Sequence, residues 1–441
     1  MIVIDLFSGA GGLSEGFHGE GFKTIAQVEK DKWACETLKT RTFFHFLKEK
    51  RDLDTYFKYV KSAHSYKGIS TAREEVYIKY PELKEKISFE ILNKKFGNPA
   101  NDPEASSSNQ IIKLIEKSAK YNNVNNVDLL IGGPPCQAYS LIGRSRMKEE
   151  AERDNRNFLF YYYLKLVKEF RPKAFLFENV PGILNAKKGM VFGAIQEEFD
   201  NIGYTILSGK QVDHKKNVLD FSDFGVGQKR KRVILFGFRK NLNYQYPNFD
   251  KYKIRWEHRL DTASIISDLP SLKPGSGEDF AVVDYVNNSS TSLTDYQAFM
   301  RRDSIGIMNH KARPLQDRDR EIYQLAIEKA KNGEQLKYFD LPARLKTHKN
   351  EKAFLDRFKV HWSENTPHTI VAHISKDGHY NIHPDINQAR SLTVREAARI
   401  QSFPDNYKFE GPRTYQFTQV GNAVPPIASK VMAKAVKELL R

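Results

Sequence analysis

An α/β fold on a mostly parallel sheet, with a second, smaller domain late in the chain, is the architecture this sequence predicts. Three observations point to it. An apolar strand at the amino terminus, Ile2-Val3-Ile4, runs into a glycine-rich turn spanning Gly9, Ala10, Gly11 and Gly12. Short apolar runs then alternate with helical patterns as far as about residue 244. From 245 to 388 the alternation stops and Tyr, Asn, Asp and Arg become frequent, before helical periodicity returns over 389–441.

The bulk numbers narrow the class. With 441 residues, 40% hydrophobic and 28% charged, the chain can bury a sizeable core. The formal charge of +16 points to a polyanionic partner without separating DNA from RNA. No apolar run approaches a membrane span, and the start reads as a strand rather than a signal peptide, so a cytoplasmic protein with no membrane partner is expected. Cys35 and Cys136, the only cysteines, argue against a disulfide framework and cannot alone make a zinc site.

In chain order, strand, glycine turn and helix open a nucleotide-type βαβ unit. Its glycines permit close backbone approach, and the helix start offers free N–H groups to a polar ligand. A second strand, Thr24 to Val28, ends at Glu29, where an acid can accept hydrogen bonds from ribose hydroxyls and suits a cationic sulfonium. Residues 38–126 read as an insertion on the sheet's flank, with helical stretches from Phe43 to Tyr59 and Ile111 to Lys120 and a loop-like stretch from Asn98 to Ser108.

Val127 to Ile131 reads as a buried strand, stopped by Gly132-Gly133-Pro134-Pro135 just before Cys136. A thiol there sits at the carboxyl end of a strand, where open α/β sheets place their chemistry; a buried structural cysteine is the alternative. Leu141 to Asn157 is polar and suits a loop that closes over a substrate, or a merely solvated one. Phe158 to Val167 reads as a largely buried helix. The strand Ala174 to Phe177 ends in Glu178-Asn179, and an acid there can act in proton transfer or simply cap or pair. Gly203 to Val212 suggests another strand. Gln228-Lys229-Arg230-Lys231-Arg232 then precedes the strand Val233 to Phe238, which fixes guanidinium groups where phosphates and base edges could meet them.

Within 245–388, Lys311, Arg313, Lys346, Lys349, Arg357 and Lys359, with Trp362, could form a basic surface. His361, His368, His373, His379 and His383 lack partner cysteines and ligand spacing, so no metal is expected. Leu392 to Pro404 reads as a helix with a Thr393/Glu396 capping box, and Gln419 to Pro426 opens a last helix that reaches Leu440.

Taken together, these stretches resemble the DNA (cytosine-C5) methyltransferase family, through several motifs in one order. DLFSGAGGLSEGF resembles its cofactor motif, GGPPCQAYS its nucleophile motif, ENVPGIL its Glu-Asn-Val motif and QKRKRV its Gln-x-Arg-x-Arg motif; LTVREAARIQSFPD and QVGNAVPP are similar to the last two. The likeness covers roughly 1–37, 127–240 and 389–441. It implies a Rossmann-like S-adenosylmethionine-dependent methyltransferase domain formed by 1–244 and 389–441, with 245–388 as target-recognition domain. The residue roles it implies are Cys136 as nucleophile, Glu178 on the cytosine edge, Asn179 ordering the site, and Arg230 and Arg232 holding base and phosphate. Phe7, Gly9, Ala10, Gly11, Gly12, Leu13, Glu29, Pro135, Leu159, Asn422 and Val424 would line the S-adenosylmethionine pocket.

The resemblance also implies double-stranded DNA as partner, a flipped-out cytosine as target, and S-adenosylhomocysteine as product. A compact chain of this kind suggests a bacterial or phage monomer paired with a cognate restriction endonuclease. Two departures stand out. The family's third motif, a short strand ending in Asp, has no clear place within 38–126, and Tyr139 replaces a more usual phenylalanine. The rivals are a transfer-RNA cytosine methyltransferase, a non-catalytic nucleic-acid-binding protein that kept the fold, and a Rossmann dehydrogenase. The variable domain weighs against the first, and Cys136, Glu178, Arg230 and Arg232 weigh against the other two.

Overall fold

A computed structural model describes residues 1–63, 65–134, 159–207, 218–285, 292–347 and 357–441. Its central sheet begins with β1 (Ile2–Leu6), helix α1 (Gly12–Gly19) and β2 (Lys23–Glu29). Helices α2 (Lys32–Glu49), α3 (Leu53–Ser62), α4 (Tyr66–Lys79) and α5 (Pro81–Glu90) lead to β3 (Ile91–Asn93). After the short pair β4 (Lys95–Phe96) and β5 (Ala105–Ser106) come α6 (Ser108–Tyr121) and β6 (Leu129–Gly132). Then follow α7 (Leu159–Phe170), β7 (Ala174–Asn179), α8 (Gly182–Asn185), α9 (Met190–Asn201), β8 (Tyr204–Ile206), β9 (Val218–Asp220) and β10 (Lys231–Arg239).

The sheet order is β3-β2-β1-β6-β7-β10-β8, with β9 paired to β10. The pairs from β3 to β7 are parallel, and β10 runs antiparallel to β7, β8 and β9. The chain winds outward from β1 to β3, then returns to place β6 on the other side of β1. The crevice between the carboxyl ends of β1 and β6 is therefore the topological switch point, where such sheets bind their ligands.

Strand alternation divides the core. Val3, Leu129, Ile131, Leu176, Ile234 and Phe236 face one layer, which holds Leu13 and Phe17 of α1 and Ile427, Val431 and Val436 of the last helix. Ile4, Leu6, Leu130, Phe175, Phe177 and Leu235 face the other, with Ile111 and Ile115 of α6, Tyr163 and Val167 of α7, and Ile195 and Phe199 of α9. Both faces are apolar because helices cover both.

The flank is more integrated than an insertion. β3 is the sheet's edge strand, and α6 covers one face. The expected helix from Phe43 to Tyr59 is two helices: Arg51 has φ +59° and the Asp52 side chain caps α3. The flank's own core, with Phe43, Phe44, Tyr56, Tyr59 and Val76, also takes in Met308.

Within 245–388, Met308 apart, the large buried apolar residues described split between two cores. Phe249, Ile265 and Ile266 of α10 (Thr262–Ile266), Tyr296 and Met300 of α11 (Asp295–Met300), and Ile307 join the layer of α1. Ile322, Tyr323 and Ile327 of α12 (Asp317–Lys331), with Leu336, Tyr338, Leu345 and Phe358, form a core of their own with Ile382 and Ala389.

The carboxyl-terminal reading needs one addition. The Thr393/Glu396 capping box opens α13 (Val394–Ile400) as expected. The stretch before Pro425 is a separate helix, α14 (Arg413–Asn422), and α15 (Pro426–Leu440) starts at the prolines. No helix among the described residues is long and apolar enough to cross a membrane.

Candidate active site

Two clusters meet at the switch point. The first is the glycine turn after β1. Phe7 and Gly9 hold φ of +58° and +54°, and Gly11 caps α1 with φ +85° and no side-chain cap, so the helix's first N–H groups receive no acceptor from their own cap residue. Glu29, at the end of β2, ties this turn down: its carboxylate accepts from the Gly9 N–H at 2.9 Å and the Asp31 N–H at 2.8 Å. Burial raises the pKa of that carboxyl. Beneath the turn, Asp5 accepts from the Ser14 hydroxyl at 2.8 Å, and burial pushes its carboxyl up to about 7.

The far end of the chain closes over this cluster. A Cβ on Gly12 would lie 2.1 Å from the Val424 carbonyl oxygen, so only glycine permits that contact. The Tyr407 hydroxyl donates to the Ala10 carbonyl. Leu13 and Val424 are buried, Leu159 is half-buried and Asn422 is exposed. The Phe7 ring packs 5.2 Å from Phe96, which in turn lies 5.3 Å from Tyr162. Neither Phe96 nor Tyr407 belongs to a stretch that the sequence singled out, and neither was anticipated.

The second cluster sits at the carboxyl ends of β6 and β7. The Asn179 side-chain amide donates to the Pro134 carbonyl at 2.9 Å, which fixes the chain as it leaves β6. A Cβ on Gly133 would stand 3.0 Å from Glu178 Oε2, so the missing side chain leaves the carboxylate its room. Arg232 Nε lies 2.9 Å from Glu178 Oε1, with both side chains mostly buried. Pro135, Cys136, Tyr139 and the candidate closing loop from Leu141 to Asn157 lie outside the described residues, as do Lys349 and residues 208–212 of the expected strand from Gly203 to Val212, whose first half holds β8.

The two motif arginines part company. Arg230 is only 2% exposed. Its guanidinium donates to the carbonyls of Ile370 at 2.9 Å, Gly421 at 3.3 Å and Ala423 at 3.1 Å. Burial, with Arg232 nearby, lowers its pKa to about 9. Gln228 works alongside it: its amide donates to Gln401, whose own amide donates to the carbonyls of Val420 at 2.9 Å and Ala423 at 2.8 Å. Gln228 and Arg230 thus hold the 420–424 turn against the glycine cradle, and in this conformation Arg230 reaches no surface. Of the expected basic surface, Arg313 is likewise engaged, on the carbonyls of Ile374 and Ser375 and over the Phe417 ring.

Cys35 is buried against the Glu29 carbonyl and its thiol is pushed up to about 12, which makes it an inert core residue. Of the five histidines, His361 and His368 stack 3.8 Å apart in the second core region; no group of three or more metal-ligating side chains converges among the described residues.

The family model for C-5 cytosine-specific DNA methylase matches residues 1–62 and 84–438. A Type II methyltransferase, M.Bpa9945I of Bacillus paralicheniformis, is 63% identical over 441 residues, covering 100% of this chain and 99% of the relative. M.DdeI of Desulfomicrobium norvegicum, also a Type II methyltransferase, is 30% identical over 451 residues, covering 99% of this chain and 88% of the relative. Among solved structures, a prophage-encoded DNA modification methyltransferase of E. coli shares the fold with a TM-score of 0.58 at 22% identity, covering 100% of this chain and 99% of that one.

Proposed function

The chain belongs to the C-5 cytosine-specific DNA methylase family and is a DNA (cytosine-5-)-methyltransferase, and from that premise we propose how its residues divide the reaction. The observation that carries the proposal is the Asn179–Pro134 hydrogen bond beside the Glu178–Arg232 pair. It holds Pro134, the last described residue before Cys136, beside the Glu178 carboxylate at the carboxyl ends of β6 and β7.

The family implies S-adenosylmethionine as methyl donor, and that group supplies an electrophilic methyl on a sulfonium. The glycine cradle, the uncapped start of α1 and the acid Glu29 fit a ligand with ribose hydroxyls and positive charge. Phe7, Gly9 to Leu13, Glu29, Pro135, Leu159, Asn422 and Val424 would hold it.

Cytosine C5 is a poor nucleophile. Addition of the Cys136 thiolate to C6 turns the ring into an enamine, whose C5 would be nucleophilic enough to take a methyl group from the bound sulfonium, the S–CH3 bond breaking to leave the thioether. Glu178 hydrogen-bonds N3 and delivers a proton there as charge builds, so it must leave its pairing with Arg232 or share it. Arg232 holds the pyrimidine edge, and Arg230 acts as a positioning residue between the substrate side and the cofactor turn. The C5 proton would then pass to a water, the C6–S bond would break to return the Cys136 thiolate, and N3 would give its proton back to Glu178, freeing the methylated base. These atoms are out of reach inside a duplex, so the cytosine is flipped out.

Within this proposal the enzyme works as a cytoplasmic monomer on duplex DNA. The Type II names of its relatives support a place in a restriction-modification system, beside an endonuclease that cuts the same site when it is unmethylated. Residues 245–388 would choose the sequence. An oligonucleotide carrying 5-fluorocytosine at the methylated site tests the chemistry: with cofactor it is expected to stay covalently joined to Cys136, since fluorine cannot leave as the proton does. No adduct on any DNA the enzyme methylates would remove the mechanism. Methyl incorporation into transfer RNA but not duplex DNA would overturn the substrate.

A further inference from the structure

We propose that Lys229 and Lys231, the residues between the buried members of the Gln228-to-Arg232 stretch, clamp phosphates of the strand that carries the target cytosine. The proposal rests on the methyltransferase reading. Side chains alternate here: Gln228 is 0% and Arg230 2% exposed, whereas Lys229 and Lys231 are exposed.

The backbone that carries the lysines is pinned on both sides. The Lys229 N–H donates to the Pro367 carbonyl at 3.0 Å, and its own carbonyl accepts from the Thr369 hydroxyl at 2.5 Å. The Arg230 N–H donates to Asp220 Oδ1 at 3.0 Å, and the Phe221 N–H donates to the Arg230 carbonyl at 3.0 Å. Lys231 is the first residue of β10, and its carbonyl accepts from Arg232 Nη1 at 2.8 Å. Both lysines are thus anchored next to the arginine that meets Glu178.

Their charges are unspent. Neither forms an ion pair with a carboxylate among the described residues. Asp220, opposite Lys231 across the β9–β10 pair, has its Oδ1 taken by the Arg230 N–H and by the N–H and hydroxyl of Ser222. Two residues of extended chain span about 6.8 Å, close to the separation of neighbouring phosphates along one DNA strand. Lysine serves phosphate as a point charge on a flexible stem, which suits contacts that position without reading sequence. Arg230, buried on three carbonyls, leaves that task open.

The experiment measures binding to a duplex bearing the methylated site between 50 and 200 mM salt, for wild type, Lys229→Ala, Lys231→Ala and the double variant. Each substitution is expected to lower the log–log salt slope by about 0.9, and the pair by about 2. Affinity should fall equally on cognate and unrelated duplexes, with the loss falling on the KM for DNA more than on kcat. Lys231→Arg should restore the slope, and Lys240→Ala, distant and paired with Asp200, should leave it unchanged. A double variant with the wild-type slope, or a loss of affinity independent of salt, overturns the assignment while leaving the enzyme's activity in place. A wild-type protein that methylates no duplex sinks the functional reading instead.

Discussion

Removing the guanidinium of Arg232 takes away the group 2.9 Å from the Glu178 carboxylate and leaves the sheet around it packed. Arg232→Ala is therefore expected to lower turnover by about 100-fold or more while the urea midpoint barely moves. Arg230→Met should do the reverse first. It strands the carbonyls of Ile370 and Gly421, while Ala423 keeps the Gln401 amide, at a cost of about 2–3 kcal/mol in urea unfolding. The sequence could not separate the two arginines, because the burial of Arg230 is decided by carbonyls 140 to 193 residues away. The glycine turn and Glu29 were readable because their geometry is local. Asp5 carries a pH signature of its own. Its folded carboxyl titrates near 7 against an ordinary 3.8, so the folded state keeps a proton that the unfolded chain has lost. Stability from Asp5 is present below pH 4 and is lost as pH rises towards 7, by at most about 4 kcal/mol. Asp5→Asn should gain on the wild type between pH 4 and pH 7 and hold a constant offset above it; parallel denaturation curves at pH 5 and pH 8 check this.

Helix α13 shows how an element with a readable start hides its purpose. The capping box and Pro404 marked its limits, but every residue from Val394 to Ile400 is buried, including two arginines that a surface helix would expose. Arg399 pairs with Asp405 at 2.7 Å and also with Asp268, and Arg395 donates to the carbonyls of Met308, Pro404 and Tyr407. The helix is a polar hub joining α10, the 300–309 stretch and the 405–410 stretch. Arg399→Met leaves Asp268 with Arg301 alone and Asp405 with Arg395 at 3.9 Å as its nearest cation, and urea unfolding should report a loss of about 3 kcal/mol. Helix α14 was missed for the opposite reason: Arg413–Asn422 has few apolar residues, and what fixes it is its place between α13 and the turn that Gln401 and Arg230 hold.

At the scale of the molecule, the boundary expected at residue 245 is a change of composition, not of core. Phe249, Ile265, Tyr296, Met300 and Ile307 pack into the same layer as α1 and α15, and Arg301 and Asp268 knit that stretch to α13. A core distinct from the sheet begins only at Leu315 and Ile322 and runs to Phe358 and Trp362, closed by Ile382 and Ala389. Periodicity could not show this, because both halves of 245–388 have short elements and mixed polarity. The difference bears on what can be exchanged. Replacing all of 245–388 with a distant relative's stretch removes part of the catalytic core and should give an insoluble or inactive protein. Replacing 315–362 alone disturbs a core whose contacts are largely internal, so the chimera should fold, bind cofactor and methylate. If this smaller unit carries the sequence choice, bisulfite sequencing of DNA from cells expressing the chimera will show cytosine methylation at a new site. Methylation at the original site by a folded chimera would place recognition in 245–314 or in 363–388, where the Pro367 and Ile370 carbonyls meet Lys229 and Arg230.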